Sequence, residues 1–513
     1  MKNLIRMAGA LALCLWLCPP PACAPSNSMP LDLSSPGAFH AELLDVSGKQ
    51  IIMLGETHGM PVNNDLDLAL LQWLHRTAGV RVYLSEFGHA TAFLINRYFE
   101  TGDEQLLDLF FRAASGTAIW NREYRDFFVR FRQWNASLPA ADRVRFVGVD
   151  IEHNPNFAIW ALGEWVRQSA ASRTAPSEIA GMARRLAAIG TRIESPGASA
   201  LVRETPPDVA RHRAEWSRFL GPRLADFEVV TANLQQRDLA YAGRQNDSFN
   251  QIRDRAMYET FLKLYPALGG ARCYGRWGSA HIAQTGFGGT RWLASYLNQP
   301  GSPVAGKVVS IWPIYVDSQT LVRNGDHRYC VENVSDSPRL PVQFSSAAPV
   351  TLVRLDGKGS PLAGLRVGKE KLGEVGQYAV VIRGATPAHP IDASAMDTPS
   401  APDPPEIGAP VVVKTLPASD ARDVPAGEFD LSVTFSQPMA GSYSFVSAEG
   451  GKVPPGAGAN PRFDAEGRTC TFRVKLAPGT KYAVWLNRGR YQGFAGRSRK
   501  PAVPYLLVFE TRK

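Results

Sequence analysis

Four places in the sequence set a carboxylate or an imidazole directly after a short run of β-forming residues: Gly55-Glu56-Thr57-His58-Gly59, Ser85-Glu86, Gly148-Val149-Asp150 and Gly278-Ser279-Ala280-His281. Two histidines and three carboxylates at one sheet edge have the chemistry of proton transfer or of metal ligation. Glu56 and His58 are two apart, so they share a face if extended geometry continues through Thr57. Gly55 and Gly59 allow the backbone to turn sharply and to approach a ligand closely. Taken singly, each residue has a plainer use. Glu56 could cap the next helix or pair with Arg253, and His281 could be a satisfied core histidine. Asp150 could cap the helix after Pro155 or orient another group. Glu152 and His153, just beyond it, are not counted in the set. Convergence is the signal, because few stable cores gather so many ionisable groups at one edge.

The elements that must position these residues are legible in the alternation of short β-rich runs with long helical stretches from about Gln50 to Trp312. Strands are expected at Ile51–Leu54, Val80–Leu84, Val144–Val147, Ala271–Tyr274 and Val308–Ile311, with two more at Val350–Leu355 and Gln377–Ile382 finishing the domain. Phe157 to Leu264 reads as mostly helical, far more than one crossover needs, and so as a lobe over one end of the sheet. The fold class is α/β, a mostly parallel sheet with flanking helices and a helical lobe. Ligands of such sheets bind at the carboxyl ends of the strands, where the four segments would meet.

Ala385 to Pro410 is rich in Pro, Ala, Asp and Ser and reads as a linker. Beyond it the period changes to two: Leu431, Val433, Phe435; Cys470, Phe472, Val474, Leu476; Tyr482, Val484, Leu486. Half-buried strands separated by turns within about a hundred residues indicate an all-β sandwich. Leu476 to Tyr482 reads as a turn leading to a buried tyrosine at a sandwich corner. The expected divisions are a signal segment at 1–24, the α/β domain at 30–390, a linker at 391–410 and the sandwich at 411–513.

With Pro417, Val424-Pro425, Phe435-Ser436-Gln437-Pro438-Met439 and the closing Phe509-Glu510-Thr511, the C-terminal part resembles the bacterial SbsA-type Ig-like domain. The larger part resembles the erythromycin esterase-like superfamily, which includes ChaN-type haem-binding lipoproteins and TIKI-type metalloproteases, over roughly residues 50 to 385. The resemblance is carried by Leu54-Gly55-Glu56-Thr57-His58-Gly59, Ser85-Glu86, Asn96-Arg97-Tyr98 with Thr101-Gly102-Asp103, and Trp120 with Glu123. Phe146 to Asp150, Arg253-Asp254-Arg255-Ala256-Met257 and Gly278-Ser279-Ala280-His281 continue it in order. One departure stands out. Thr57 alone separates Glu56 from His58 where the esterases have two residues, and Met60 to Asn64 lack their Thr and Glu. That weakens the implication of a macrolide substrate and leaves the implied fold intact.

The resemblance implies, as the favoured reading, a hydrolase opening an ester or lactone of a small molecule without a serine nucleophile, since no Gly-x-Ser-x-Gly elbow occurs. His58 would deprotonate water with Glu56 or Glu86 orienting its ring, while His281 and Arg253 polarise the carbonyl. This reading needs no cofactor. A second uses the same His and Glu residues as ligands of a divalent metal. A third is binding, including haem capture with His58 or Tyr98 as axial ligand.

The formal net charge of +9 is spread over 56 basic and 47 acidic residues without a long basic run, which argues against nucleic acid as a partner. Lys2 and Arg6 precede the apolar run Met7 to Leu17, too short to span a bilayer, and the pattern reads as a signal peptide. Ala22-Cys23-Ala24 offers either a cleavage site or a lipid-modified Cys23. Export to the periplasm, as an outer-membrane lipoprotein or as a secreted protein, is therefore expected, with cell-envelope contact through the Ig-like domain. Past that segment only Cys273, Cys330 and Cys470 remain, so no disulfide framework is expected.

Overall fold

The computed structural model describes residues 27–513 apart from 35–38, 40–42, 190–197, 244–247, 287, 324–327, 335–339, 342–343, 345, 358, 397–407, 449–451, 459, 490 and 498–499. The signal segment, with Cys23, lies outside the described residues, as does most of the expected 391–410 linker. The chain divides into two compact units, Met1–Asp397 and Thr398–Lys513.

The first unit is built on an eight-stranded sheet. Its members are β1 (Ser28–Pro30), β2 (Ile51–Glu56), β3 (Val82–Gly88), β4 (Arg145–Asp150), β5 (Cys273–Gly278), β6 (Val308–Val316), β9 (Val350–Arg354) and β12 (Tyr378–Arg383), in the order β1-β9-β12-β6-β2-β5-β3-β4. The run from β12 through β4 is parallel, and β9 pairs antiparallel with both β12 and β1. All seven expected strands are present. β2 to β5 run two to four residues further than their apolar cores, so Glu56, Glu86 and Asp150 belong to the strands themselves. The hairpin of β7 (Ser318–Arg323) and β8 (Tyr329–Val334) and a two-residue ribbon of β10 (Arg366–Val367) and β11 (Glu370–Lys371) were not expected; their apolar runs are short.

Both faces of the sheet are buried, which is why its strands read as continuous apolar runs. Alternate residues serve different cores. Ile52, Leu54, Tyr83, Phe146 and Tyr274 join the larger cluster, while Ile51, Met53, Val82, Leu84, Val147 and Cys273 join the other. The larger cluster is covered by α1 (Pro61–Ala78), α2 (His89–Thr101), α3 (Glu104–Ala113), α4 (Arg122–Ala136) and the lobe, which runs from α5 (Pro155–Ala170) through α6 (Ser177–Ala187), α7 (Ala198–Arg211) and α8 (Arg213–Leu220) to α9 (Leu224–Ala242). Its last helix, α10 (Phe249–Leu264), turns Met257 and Phe261 onto the second cluster.

Residues 385–396, read from composition as the start of a linker, instead lie against this unit. Ala388 is buried, and its N–H donates to the Gly59 carbonyl at 2.8 Å; His389 Nδ1 meets Glu123 at 2.6 Å. Pro and Ala supply little apolar area, but they leave a backbone that can bond to the loops it crosses.

The second unit is a sandwich of two four-stranded sheets. One is β13 (Val412–Leu416), β15 (Gly427–Phe435), β18 (Thr469–Leu476) and β17 (Arg462–Phe463); the other is β14 (Ala421–Val424), β20 (Tyr505–Thr511), β19 (Lys481–Leu486) and β16 (Phe445–Ser447). Leu431, Val433, Phe435, Cys470, Val474 and Leu476 face Tyr482, Val484, Leu486, Leu507 and Phe509 across its core. The Tyr482 hydroxyl accepts the Ala477 N–H at 2.8 Å, closing the expected corner.

Candidate active site

The loop from Glu56 to Gly59 is held at nearly every backbone group. The Thr57 N–H donates to the Tyr315 hydroxyl at 3.0 Å, and the Thr57 carbonyl accepts from Asn63 Nδ2 at 2.7 Å. Ser279 Oγ donates to the Glu56 carbonyl at 2.8 Å, and Thr320 Oγ1 donates to that of His58. Gly59 has φ +84°, and any Cβ there would meet the Leu321 carbonyl, so only glycine closes this turn. The result is a fixed His58 whose Nδ1 lies 2.8 Å from Glu56 Oε1. His58 is 42% exposed and lines a cavity of about 510 Å³, and its Nε2 makes no hydrogen bond among the described residues.

Two guanidinium groups organise the remaining charges, one on each face of the sheet. Glu56 continues the face of Ile52 and Leu54, and there it meets Arg276 of β5 at 3.3 Å. Arg276 also reaches Asn64 at 2.7 Å and Asp67 at 3.4 Å and lies over the Tyr124 ring, 5.0 Å from its centroid. Asp67 in turn accepts from the hydroxyls of Tyr83 at 2.7 Å and Tyr274 at 2.8 Å. Burial raises the Asp67 carboxyl to about 6, with Arg276 and the two tyrosines opposing.

Glu86 continues the face of Leu84, next to a register irregularity between β3 and β4. It accepts from Arg253 Nη2 at 2.7 Å and from the Gly278 N–H at 2.7 Å. Arg253 Nε sits 3.0 Å from Asp150 Oδ1, and Asp150 is wholly buried. His281 Nδ1 lies 2.8 Å from Asp254 Oδ1, and its Nε2 lies 3.3 Å from Glu86. Burial pushes the His281 imidazole down, but Asp254 and Glu86 overcome it and hold its pKa up at about 10. Arg253 Nη1 lies 3.1 Å from His281 Nε2, so the guanidinium and the imidazole both stand against the one carboxylate of Glu86.

The same balance acts at the cavity wall. Burial pushes Glu86 up, yet His281 and Arg253 hold it well below the carboxylate range; Glu56 is likewise held down by Arg276 and His58. Burial pushes the His58 imidazole down, and Glu56 and Glu86 more than offset this, leaving its pKa raised.

Glu56, His58, Glu86 and Arg253 line the cavity together. Asp150 lies behind Arg253, wholly buried, with Oδ1 3.0 Å from the guanidinium Nε. Glu56 pairs with Arg276 and not with Arg253, which serves Glu86 and Asp150 instead. His281 is buried and contacts Glu86 and Arg253 from behind, one layer back from the carbonyl position the sequence reading implied for it. Arg276, Asp67 and Asp254 were missed, and His153 was named but not counted in the set. A charged Arg276 within an otherwise uncharged strand was the available signal for the first, and Asp254 sat inside a quoted motif.

A resident metal would need these side chains to turn toward one ion. Arg276 instead bridges Glu56 and Asp67, and Arg253 bridges Glu86 and Asp150. Among the described residues no three His, Cys, Asp or Glu are grouped to hold a metal, so the residues present do not fit one. Tyr98, suggested as a haem ligand, is buried in α2 with its hydroxyl 3.2 Å from Glu104, away from the cavity.

Residues 75–273 match the family model described as erythromycin esterase, and residues 406–511 match a bacterial Ig-like domain. An erythromycin esterase-like domain is followed by an Ig-like domain. A Bacillus cereus protein of known structure has the same fold, with TM-score 0.55 and 17% identity over 71% of this chain and 97% of its own. A succinoglycan biosynthesis protein matches with TM-score 0.52 and 14% identity over 71% and 96%. A variant of the erythromycin esterase EreC in its open conformation gives TM-score 0.49 and 13% identity over 71% and 98%. No curated protein sequence matches the chain. Within the esterase-like domain, Glu86, Asp150 and Arg253 fall inside the matched segment, and Glu56, His58 and His281 flank it in sequence while joining it in space.

Proposed function

We propose that the esterase-like domain hydrolyses an ester or lactone of a small molecule, with His58 activating the attacking water. The observation that carries this is the 2.8 Å contact of His58 Nδ1 with Glu56. Donation from Nδ1–H to the carboxylate leaves the lone pair of the neutral ring on Nε2, at the cavity wall, where a water can surrender its proton. Water attack on the carbonyl carbon builds negative charge on oxygen, and Arg253 at the same wall is the cation that would meet it. His281 and Asp150 act through Glu86 and Arg253, fixing their positions. Across the cavity, Phe87, Phe110, Ile119, Phe157 and Phe249 offer an apolar surface to the body of the substrate.

Screening the purified protein against esters, lactones and amides tests the reading, with His58→Ala as the control. Loss of turnover in that variant supports it; equal turnover in both proteins, or none in either, removes it. Lys2 and Arg6 ahead of the apolar run Met7 to Leu17 support reading this as the activity of an exported protein, with the Ig-like domain as the proposed envelope contact. Fractionation of cells carrying the full chain, with a Cys23→Ser variant, tests the export and the lipid anchor separately.

A further inference from the structure

A second histidine–carboxylate pair faces the same cavity. His153 follows β4, and its Nε2 lies 3.1 Å from Oδ2 of the wholly buried Asp150. Its Nδ1 lies 3.1 Å from the Tyr241 hydroxyl. Both His153 and Tyr241 line the cavity with His58. The Tyr241 ring is fixed on two sides, by Phe249 edge-on at 5.3 Å and by the Arg237 guanidinium 4.9 Å from its centroid.

We propose that Asp150, His153 and Tyr241 form the acid arm of the site, with Tyr241 as the catalytic residue that protonates the leaving group. This rests on the hydrolase reading above and assigns it a second proton carrier. The water oxygen bonds to the carbonyl carbon as its proton passes to His58 Nε2. On collapse, the bond to the leaving oxygen breaks with its electron pair on that oxygen, which takes the Tyr241 hydroxyl proton. The Tyr241 oxygen recovers a proton from His153 Nδ1, while Asp150 holds the Nε2–H. Solvent then removes one proton from His58 and returns one to His153, which closes the balance. Asp150 suits this role because it is anchored independently by Arg253 and by the Ile151 N–H, at 2.7 Å.

An acid is needed only when the leaving group is a poor one, and the test uses that dependence. Ethyl phenylacetate and 4-nitrophenyl phenylacetate share an acyl group and differ in leaving group. Tyr241→Phe and His153→Gln should each lower kcat on the ethyl ester by about 10²-fold and leave the nitrophenyl ester within about threefold of wild type. His58→Ala should lower both. Retained nitrophenyl turnover also reports that the variants are folded. Equal losses on both esters, or none on either, overturn the acid arm while leaving the hydrolase reading in place. A wild-type protein that turns over neither ester overturns both.

Discussion

At the scale of single residues, the site works by opposing burial with paired charge. His58 is the clearest case, since its pKa rises although burial alone would lower it. The neutral base therefore accumulates only above the ordinary histidine value of about 6.5, and turnover should fall as pH drops through the raised value. Glu56→Gln removes the nearest negative charge, which lowers the His58 pKa. The acid limb of the pH–rate profile should then move to lower pH, and a limb that stays in place would remove Glu56 from this role. His58→Ala should cut kcat by on the order of 10²–10⁴-fold with an unchanged circular dichroism spectrum. His281 carries the opposite lesson about stability. Its pKa is raised to about 10, so the stability its protonation contributes is complete below about pH 6.5 and is lost as pH climbs toward 10. Melting temperatures across pH 7–10 should fall more steeply in the wild type than in His281→Asn.

Among elements, α10 and the strand ends of β3 and β4 are joined through one arginine. Arg253→Ala would leave Glu86 and Asp150 buried without their main cation, and loss of one partner from such a network costs about 3–5 kcal/mol. Urea unfolding should show that loss, with the midpoint falling and the slope unchanged. The turn after β2 depends on geometry instead of charge. In Gly59→Ala, the left-handed φ and the clash with the Leu321 carbonyl should destabilise by about 1–3 kcal/mol. Because that turn carries His58, kcat should fall as well, and a variant stable but slow would separate the two effects.

For the whole molecule, each unit has a core of its own. The first buries its sheet on both faces, and the second closes a sandwich around Leu431, Val433, Tyr482 and Phe509. A fragment of residues 27–396 should therefore melt cooperatively and keep the activity of the full chain, and a fragment of 408–513 should fold alone. Calorimetry and the ester assay on both fragments check this. Loss of activity in the larger fragment would assign the Ig-like domain a part in the chemistry. The shorter boundary matters here, because cutting at Ala385 would remove the backbone that bonds to Gly59 beneath His58.

What the chain determines without its fold is the strand pattern and the chemistry at the strand ends. A strand buried on both faces must be apolar along its length, so the first charged residue after such a run is conspicuous, and Glu56, Glu86 and Asp150 were found that way. The parity of residues in a strand likewise sets which face each one leaves. Only the tertiary structure decided which cation meets which carboxylate. Arg276 and Arg253 are distant in sequence from their partners and stand on opposite faces of the sheet, and no local pattern encodes a contact of that span. His153 was left out of the set for the same reason: its meaning depends on Tyr241, 88 residues away at the end of another helix. Composition also misled at residues 385–396, since low apolar content says nothing about the backbone hydrogen bonds a segment can make once a surface is there to receive them.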